Sequence, residues 1–212
     1  MTDGSAAQPS RLERRKARTR AALVRAARTF IAENRMNAPV LEITRAADVG
    51  MGSFYNHFDS KEELFQAAVD DALEAHGHLL DELTGEVDDP AEVFAQAFRL
   101  TGRLHRVEPE LSRVLLANGP ALMSADHGLA PRALRDIEAA AAAGRFTVGD
   151  VRVALALAAG AVVGLGQLLH SEPDRDDAET TDEMTVALLR AFGMTGEDAR
   201  AVCSRPLPGL PG

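Results

Sequence analysis

Between Met51 and Lys61 the chain reads MGSFYNHFDSK. Phe54 and Phe58, spaced i, i+4, belong to one buried face of a short helix. What remains on the outer face is Met51, Gly52, Ser53, Tyr55, Asn56 and His57. Ser, Asn and His donate or accept at base edges, Asn most usefully to adenine, and Tyr reaches a phosphate oxygen. A side chain as small as that of Gly52 lets the backbone come close to a duplex. Lys61 adds a cation beside the start of the next helix, itself an anion site. This is the chemistry of reading a nucleic acid. No catalytic constellation and no metal site accompany it. His76 and His78 stand two apart on a helix and point to different faces, and Cys203 has no His near it in sequence, so a surface role is expected for both.

The net charge of −9 looks wrong for such a task until the chain is divided. Residues 1–61 hold 11 Lys+Arg against 6 Asp+Glu, and residues 62–212 hold 12 against 26. A phosphate contact needs cations locally, so a basic module on an acidic body is compatible with DNA. Six of the ten residues from Arg11 to Arg20 are cations. Arg11, Arg14, Arg15 and Arg18 fall at i, i+3, i+4, i+7, one stripe of a helix, where like charges repel unless an anion relieves them. The same stripe is also what a plain solvated face would carry.

The elements that must position these groups are all helical. Residues 1–9 have no periodicity and read as a disordered tail. From Ser10 a helix brings Leu23, Val24, Ala27, Phe30 and Ile31 to one face. Val40, Ile43 and Ala47, Val49 in a turn, then Phe54 and Phe58 form the small core of two short helices around a tight turn. Ser60 with Glu63 is a capping box opening a helix to about Leu83. Asp89-Pro90 opens another to about Val107. Thr147 with Asp150 reads as a box before an apolar helix ending near His170, Glu179 to Phe192 is a further helix, and Thr195 with Asp198 caps a short last one. The end, RPLPGLPG, reads as a frayed tail. The expected organisation is a tail over 1–9, a DNA-binding unit over 10–59, a helical body over 60–204 and a flexible tail over 205–212, in nine or ten helices without strands.

The run VGMGSFYNHFDSKEEL, Val49 to Leu64, resembles the helix-turn-helix and following helix of the tetracycline-repressor (TetR) family, and the similarity extends over roughly residues 17–70. The resemblance implies that Met51, Gly52, Ser53, Asn56 and His57 face bases while Tyr55, Lys61, Arg18 and Thr19 hold phosphates. It implies an all-α fold, an N-terminal three-helix DNA-binding domain joined to a C-terminal domain for effector binding and dimerisation. It further implies a homodimer on a near-palindromic operator of double-stranded DNA. Two departures stand out, Asp48 where the family usually has Gly in the turn and Asn34-Arg35 where helix one usually ends in Gly. Asn and Asp tolerate the left-handed conformation better than most residues, so the geometry can survive both.

In the body, residues 151–169 are apolar nearly all round and too long for one partner helix to cover. Ala156, Gly160 and Gly164 at four-residue spacing admit a close neighbour. Together with the stripe Met184, Ala187, Leu188 and Ala191 they predict a four-helix dimer interface, the alternative being an ordinary core helix. The uncharged run, Val153 to Leu169, is shorter than the ~20 residues of a membrane span, so no membrane partner is expected. Phe98, Thr101, His105, Met123 and Gln167 are the candidate lining of an effector site, apolar with a polar end. The whole reads as a cytoplasmic dimeric repressor released from its operator by a small, largely apolar effector of unknown identity, with no cofactor. Activation in place of repression, or a helical binding protein or enzyme whose basic start is only a solvated face, remain open on these residues.

Overall fold

The computed structural model describes residues 10–117 and 127–208. The candidate Met123, the expected tail 1–9 and residues 209–212 lie outside them. The described residues form ten α-helices and no strand, and the chain divides into two compact units after Val69.

The first unit holds α1 (Arg11–Ala32), α2 (Val40–Ala46), α3 (Met51–Phe54) and the start of α4 (Lys61–Thr84). Helix α1 starts at a complete capping box, the Ser10 hydroxyl accepting from Glu13 N and the Glu13 carboxylate accepting from Ser10 N. Its first two turns are exposed, and only from Leu23 onward does a face become buried. That face, Leu23, Val24, Ala27, Phe30 and Ile31, is buried, as are Ile43, Phe54 and Phe58, with α1 packed on α2 and α2 on α3. Both non-glycine departures are resolved in the backbone. Asn34 has φ 56° and Asp48 φ 53°, each the left-handed residue of a Schellman ending: Arg35 N donates to Phe30 O at 2.8 Å and Val49 N to Thr44 O at 3.0 Å.

Two expectations are corrected in this unit. The recognition segment is one helical turn, Met51–Phe54, followed by turns through His57, because nothing in the sequence after Phe54 supplies a second buried contact before Phe58. The Ser60–Glu63 cap is also displaced: Ser60 Oγ accepts from Glu63 N at 3.1 Å, but the Glu63 carboxylate reaches one residue further back, to Asp59 N at 2.7 Å.

The second unit begins within α4 and contains α5 (Pro90–Val107), α6 (Pro109–Ala117), α7 (Leu129–Ala142), α8 (Val151–Ser171), α9 (Asp177–Ala191) and α10 (Gly196–Cys203). Helix α5, capped by Asp89 with Pro90 at its first position, is the axis, packed against α6, α7, α8, α9 and α10. Its Phe94 gathers Phe98, Phe146 and Phe192 at centroid distances of 5.5 to 6.3 Å. Aromatic pairs at such offsets add to the stabilisation from burial alone.

Helix α8 is capped by Asp150 alone, whose carboxylate accepts from Arg152 N. Thr147, expected to share that role, lies four residues before the first residue of the helix and donates its N–H to Phe192 O at 2.7 Å. By length and composition α8 could cross a membrane, but it packs against α5, α6, α7 and α9. It is buried on one side only: Val153 and Leu157 are 66% and 48% exposed, on one stripe with Ala156, Gly160 and Gly164. Arg205, read from sequence as tail, is tied to the body, its guanidinium paired with Glu92 and its carbonyl accepting from Arg99.

Candidate nucleic-acid interface and ligand cavity

The recognition segment presents its polar residues outward because Phe54 and Phe58 take its apolar face inward. Met51, Gly52, Tyr55 and Asn56 are exposed, Ser53 and His57 half-buried. Tyr55 rests edge-on against Phe54 at 5.0 Å with its ring 60% exposed, which orients the phenol without covering it. A Cβ at Gly52 would meet nothing within 4 Å, so the protein's own packing does not require glycine there. Lys61 is half-buried in the first turn of α4. Arg11, Arg14, Arg15 and Arg18 are exposed, and among the described residues no carboxylate pairs with them. Thr19 donates to Arg15 O at 3.1 Å and keeps its lone pairs. Arg20 lies 5.2 Å above the Phe58 ring, fixing α1 to the recognition segment.

In the second unit α4, α5, α7 and α8 enclose a cavity of about 80 Å³. Phe94, Phe98, Leu155 and Val162 give it an apolar wall, and Asp81, Thr84, Thr101, Arg132 and Asp136 a polar one. Of the five sequence candidates, Phe98 and Thr101 line it. His105 does not. It is buried behind the wall, its Nδ1 2.7 Å from Ser112 Oγ and its Nε2 3.2 Å from Val162 O. Gln167 is exposed on α8 and does not line this cavity, because it falls on the uncovered stripe and not on the packed one.

The residues missed from sequence are those of α4 and α7 and, on α8, Leu155, Ala158, Ala159 and Val162. Leu129, Arg132, Ala133 and Asp136 line the cavity at i, i+3, i+4, i+7, a helical stripe disguised by its two charges. Arg132 is held by Glu74 at 2.8 Å and Asp81 at 2.7 Å, and a Cβ on Gly77 would lie 2.7 Å from its guanidinium, so glycine is needed for that approach. The pairing with Arg132 pulls the Glu74 carboxyl down to about 2. Burial pushes the Asp136 carboxyl above its ordinary value against the pull of Arg135.

His76 and Cys203, expected at the surface, are both buried. Each continues the inward stripe of its helix, and Cys203 belongs to the core of the second unit, where desolvation raises its thiol to about 11. Desolvation likewise lowers His76 and His105 to about 4, leaving both imidazoles neutral. His76 Nε2 lies 3.1 Å from Thr101 Oγ1.

The chain matches two families by sequence. Residues 23–68 match the one described as bacterial regulatory proteins, tetR family, and residues 89–205, more than half of the chain, the one described as tetracyclin repressor-like, C-terminal domain. The chain belongs to the TetR family. As a TetR-family protein it is a DNA-binding transcriptional regulator with a ligand-binding C-terminal domain, and not an enzyme. Among solved structures it is similar to RolR in complex with resorcinol, with 35% identity, a TM-score of 0.75 and coverage of 92% of this chain and 98% of that one. RolR without ligand gives 35% identity and a TM-score of 0.73 over 90% of this chain and all of the other. A TetR-family transcriptional regulator from Pectobacterium atrosepticum, 21% identical with a TM-score of 0.59 over 87% of this chain and 96% of its own, shares the fold. No curated protein matches the sequence.

Proposed function

We propose that this TetR-family regulator is a cytoplasmic homodimeric repressor that binds a near-palindromic operator and is released by a small aromatic effector held in the α4/α5/α7/α8 cavity. The observation that carries the reading is the cavity itself, apolar and aromatic on one side with one polar edge. Its roughly 80 Å³ is far below the ~300 Å³ at which drug-sized pockets begin. A cavity of that size suits a small effector and not an extended one. RolR, 35% identical over 92% of this chain, holds resorcinol, a single ring.

In this reading Met51, Gly52, Ser53, Asn56 and His57 face base edges, while Arg18, Thr19, Tyr55 and Lys61 contact phosphates. The uncovered stripe Val153, Ala156, Leu157, Gly160 and Gly164 of α8, with α9 beside it, forms the dimer interface. Gln167, on the same side of α8, belongs to that interface and not to the cavity. Helix α4 has residues in both units, Lys61 at its start and Leu80, Asp81 and Thr84 on the cavity, so an effector that repositions its second half favours a state unable to hold the operator. By linkage the effector then weakens DNA binding by the factor by which DNA weakens effector binding.

The test is a gel shift with DNA from upstream of the gene, titrated with resorcinol and related single-ring phenols. A specific complex dissolved by a phenol is expected. A specific complex that no such compound affects would contradict the effector assignment, and no specific complex at any modest salt would contradict the operator.

A further inference from the structure

The polar edge of the cavity has a direction. Thr101 Oγ1 lies 2.8 Å from Ala97 O, to which only its hydroxyl proton can bind. Its 3.1 Å contact with His76 Nε2 must then run the other way, the neutral imidazole donating and the hydroxyl accepting. The proton of Thr101 is therefore spent and one lone pair is left. Thr84 is in the same condition, its hydroxyl donating to Leu80 O at 2.8 Å.

Arg132, the one cation among the described lining residues, is also exhausted. Its Nε donates to Asp81 at 2.7 Å. Nη1 donates to Glu74 at 3.1 Å and Gly128 O at 2.8 Å, and Nη2 to Glu74 at 2.8 Å and His78 Nδ1 at 3.4 Å. Of the five N–H groups of the guanidinium four are taken by oxygens, and the fifth is turned toward the His78 ring, which is not among the described lining of the cavity. Asp81 and Asp136 accept from Arg132 and Arg135 and carry further lone pairs.

We infer that the described lining of the cavity offers a ligand hydrogen-bond acceptors only, so it selects uncharged ring compounds that carry donors (phenolic hydroxyls or anilinic N–H) and rejects carboxylates and rings bearing only acceptors. Thr84 and Thr101 are specificity-determining residues, and His76 is a positioning residue that fixes which way the Thr101 hydroxyl points. The inference rests on the cavity being the effector site. A ligand without donors leaves buried acceptors unpaired, and such sites discriminate far more strongly than an apolar pocket does. An anion meets a lining whose charged groups, Asp81, Asp136 and Arg132, sum to −1, and finds no free N–H there to offset its desolvation.

Isothermal titration calorimetry on the full-length protein tests this with resorcinol, 1,3-difluorobenzene and benzoate as probes. Resorcinol is expected to bind at least ~100-fold more tightly than the difluoro compound, and benzoate not to bind. Thr101→Val and Thr84→Val, which keep shape and remove the acceptor, should each weaken resorcinol by roughly 5- to 20-fold and leave difluorobenzene unchanged. Binding of difluorobenzene or benzoate as tight as that of resorcinol overturns the acceptor-only assignment while keeping the cavity as a ligand site. Equal loss of resorcinol and difluorobenzene in both valine variants, with the melting temperature unchanged, also overturns it. Binding of none of the three overturns the effector cavity, and the inference with it.

Discussion

Asp48 occupies a backbone position that suits glycine, and it does so at the turn that sets the angle between α2 and the recognition segment. A left-handed φ costs an L-residue free energy that glycine avoids, less for Asp or Asn than for others. Asp48→Gly should therefore raise stability by about 0.5 to 1 kcal/mol, visible in thermal unfolding, without loss of operator binding. Gly52 is the converse case. Its Cβ position is empty in the free protein, so Gly52→Ala should fold with an unchanged melting temperature yet bind operator at least ~10-fold more weakly, if the backbone there approaches the duplex. Unchanged DNA affinity would remove Gly52 from the reading face. The two buried imidazoles make a third prediction. Burial holds His76 and His105 near 4 while the unfolded chain titrates near 6.5. Between those values the unfolded state binds more protons, so stability is complete above about pH 6.5 and is lost as pH falls toward 4, by at most about 3 kcal/mol per imidazole. The melting temperature should fall across that window, and less steeply in His76→Phe. A flat profile would contradict the burial of these rings.

At the scale of elements, local sequence was informative wherever one helix could specify itself. Periodicity placed the buried face of α1, Asp89-Pro90 opened α5, and Thr195 capped α10 through Asp198 N at 3.1 Å. Asp48 and Asn34 were legible as left-handed residues because their tolerance of that region is a property of the residue type. What was not legible depended on partners distant in sequence. The cavity takes side chains from four helices. Arg132 and Asp136 were not legible as lining residues: Arg132 turns inward on Glu74 and Asp81, more than 50 residues away, and Asp136 follows one turn later, paired with Arg135. Gln167 and His105 lie off the cavity and His76 is buried for the same reason: which side of a helix is covered is decided by the neighbours, not by the helix. Helix α8 carries the prediction at this scale. Gly160 and Gly164 have open space where a Cβ would stand, so Gly160→Leu is harmless in a lone protomer and obstructive in a close helix–helix interface. Sedimentation should show Gly160→Leu and Leu157→Glu as folded monomers at concentrations where the parent protein is a dimer. Dimers of undiminished affinity would move the interface elsewhere.

For the whole molecule, the charge division has a measurable consequence. The cations of residues 1–61 and the 26 Asp+Glu of residues 62–212 confine attraction for DNA to the N-terminal part of the chain, so affinity should fall steeply with salt. Arg18→Ala and Lys61→Ala should each lower the slope of log K against log salt by about 1 per protomer contact and weaken binding uniformly across sequences, whereas Asn56→Ala should relax specificity at one base pair per half-site. The division into reading and sensing units also defines the central claim, that occupancy of the cavity and occupancy of the operator oppose each other. The most direct measurement is the affinity of the purified protein for its operator fragment, by fluorescence anisotropy, with and without saturating resorcinol, in the parent protein and in Thr101→Val. The account predicts an operator affinity reduced at least ~10-fold by the phenol, with the concentration needed for half the effect shifted upward in the variant. An operator affinity that resorcinol leaves unchanged, in a protein that calorimetry shows to bind it, would contradict that claim.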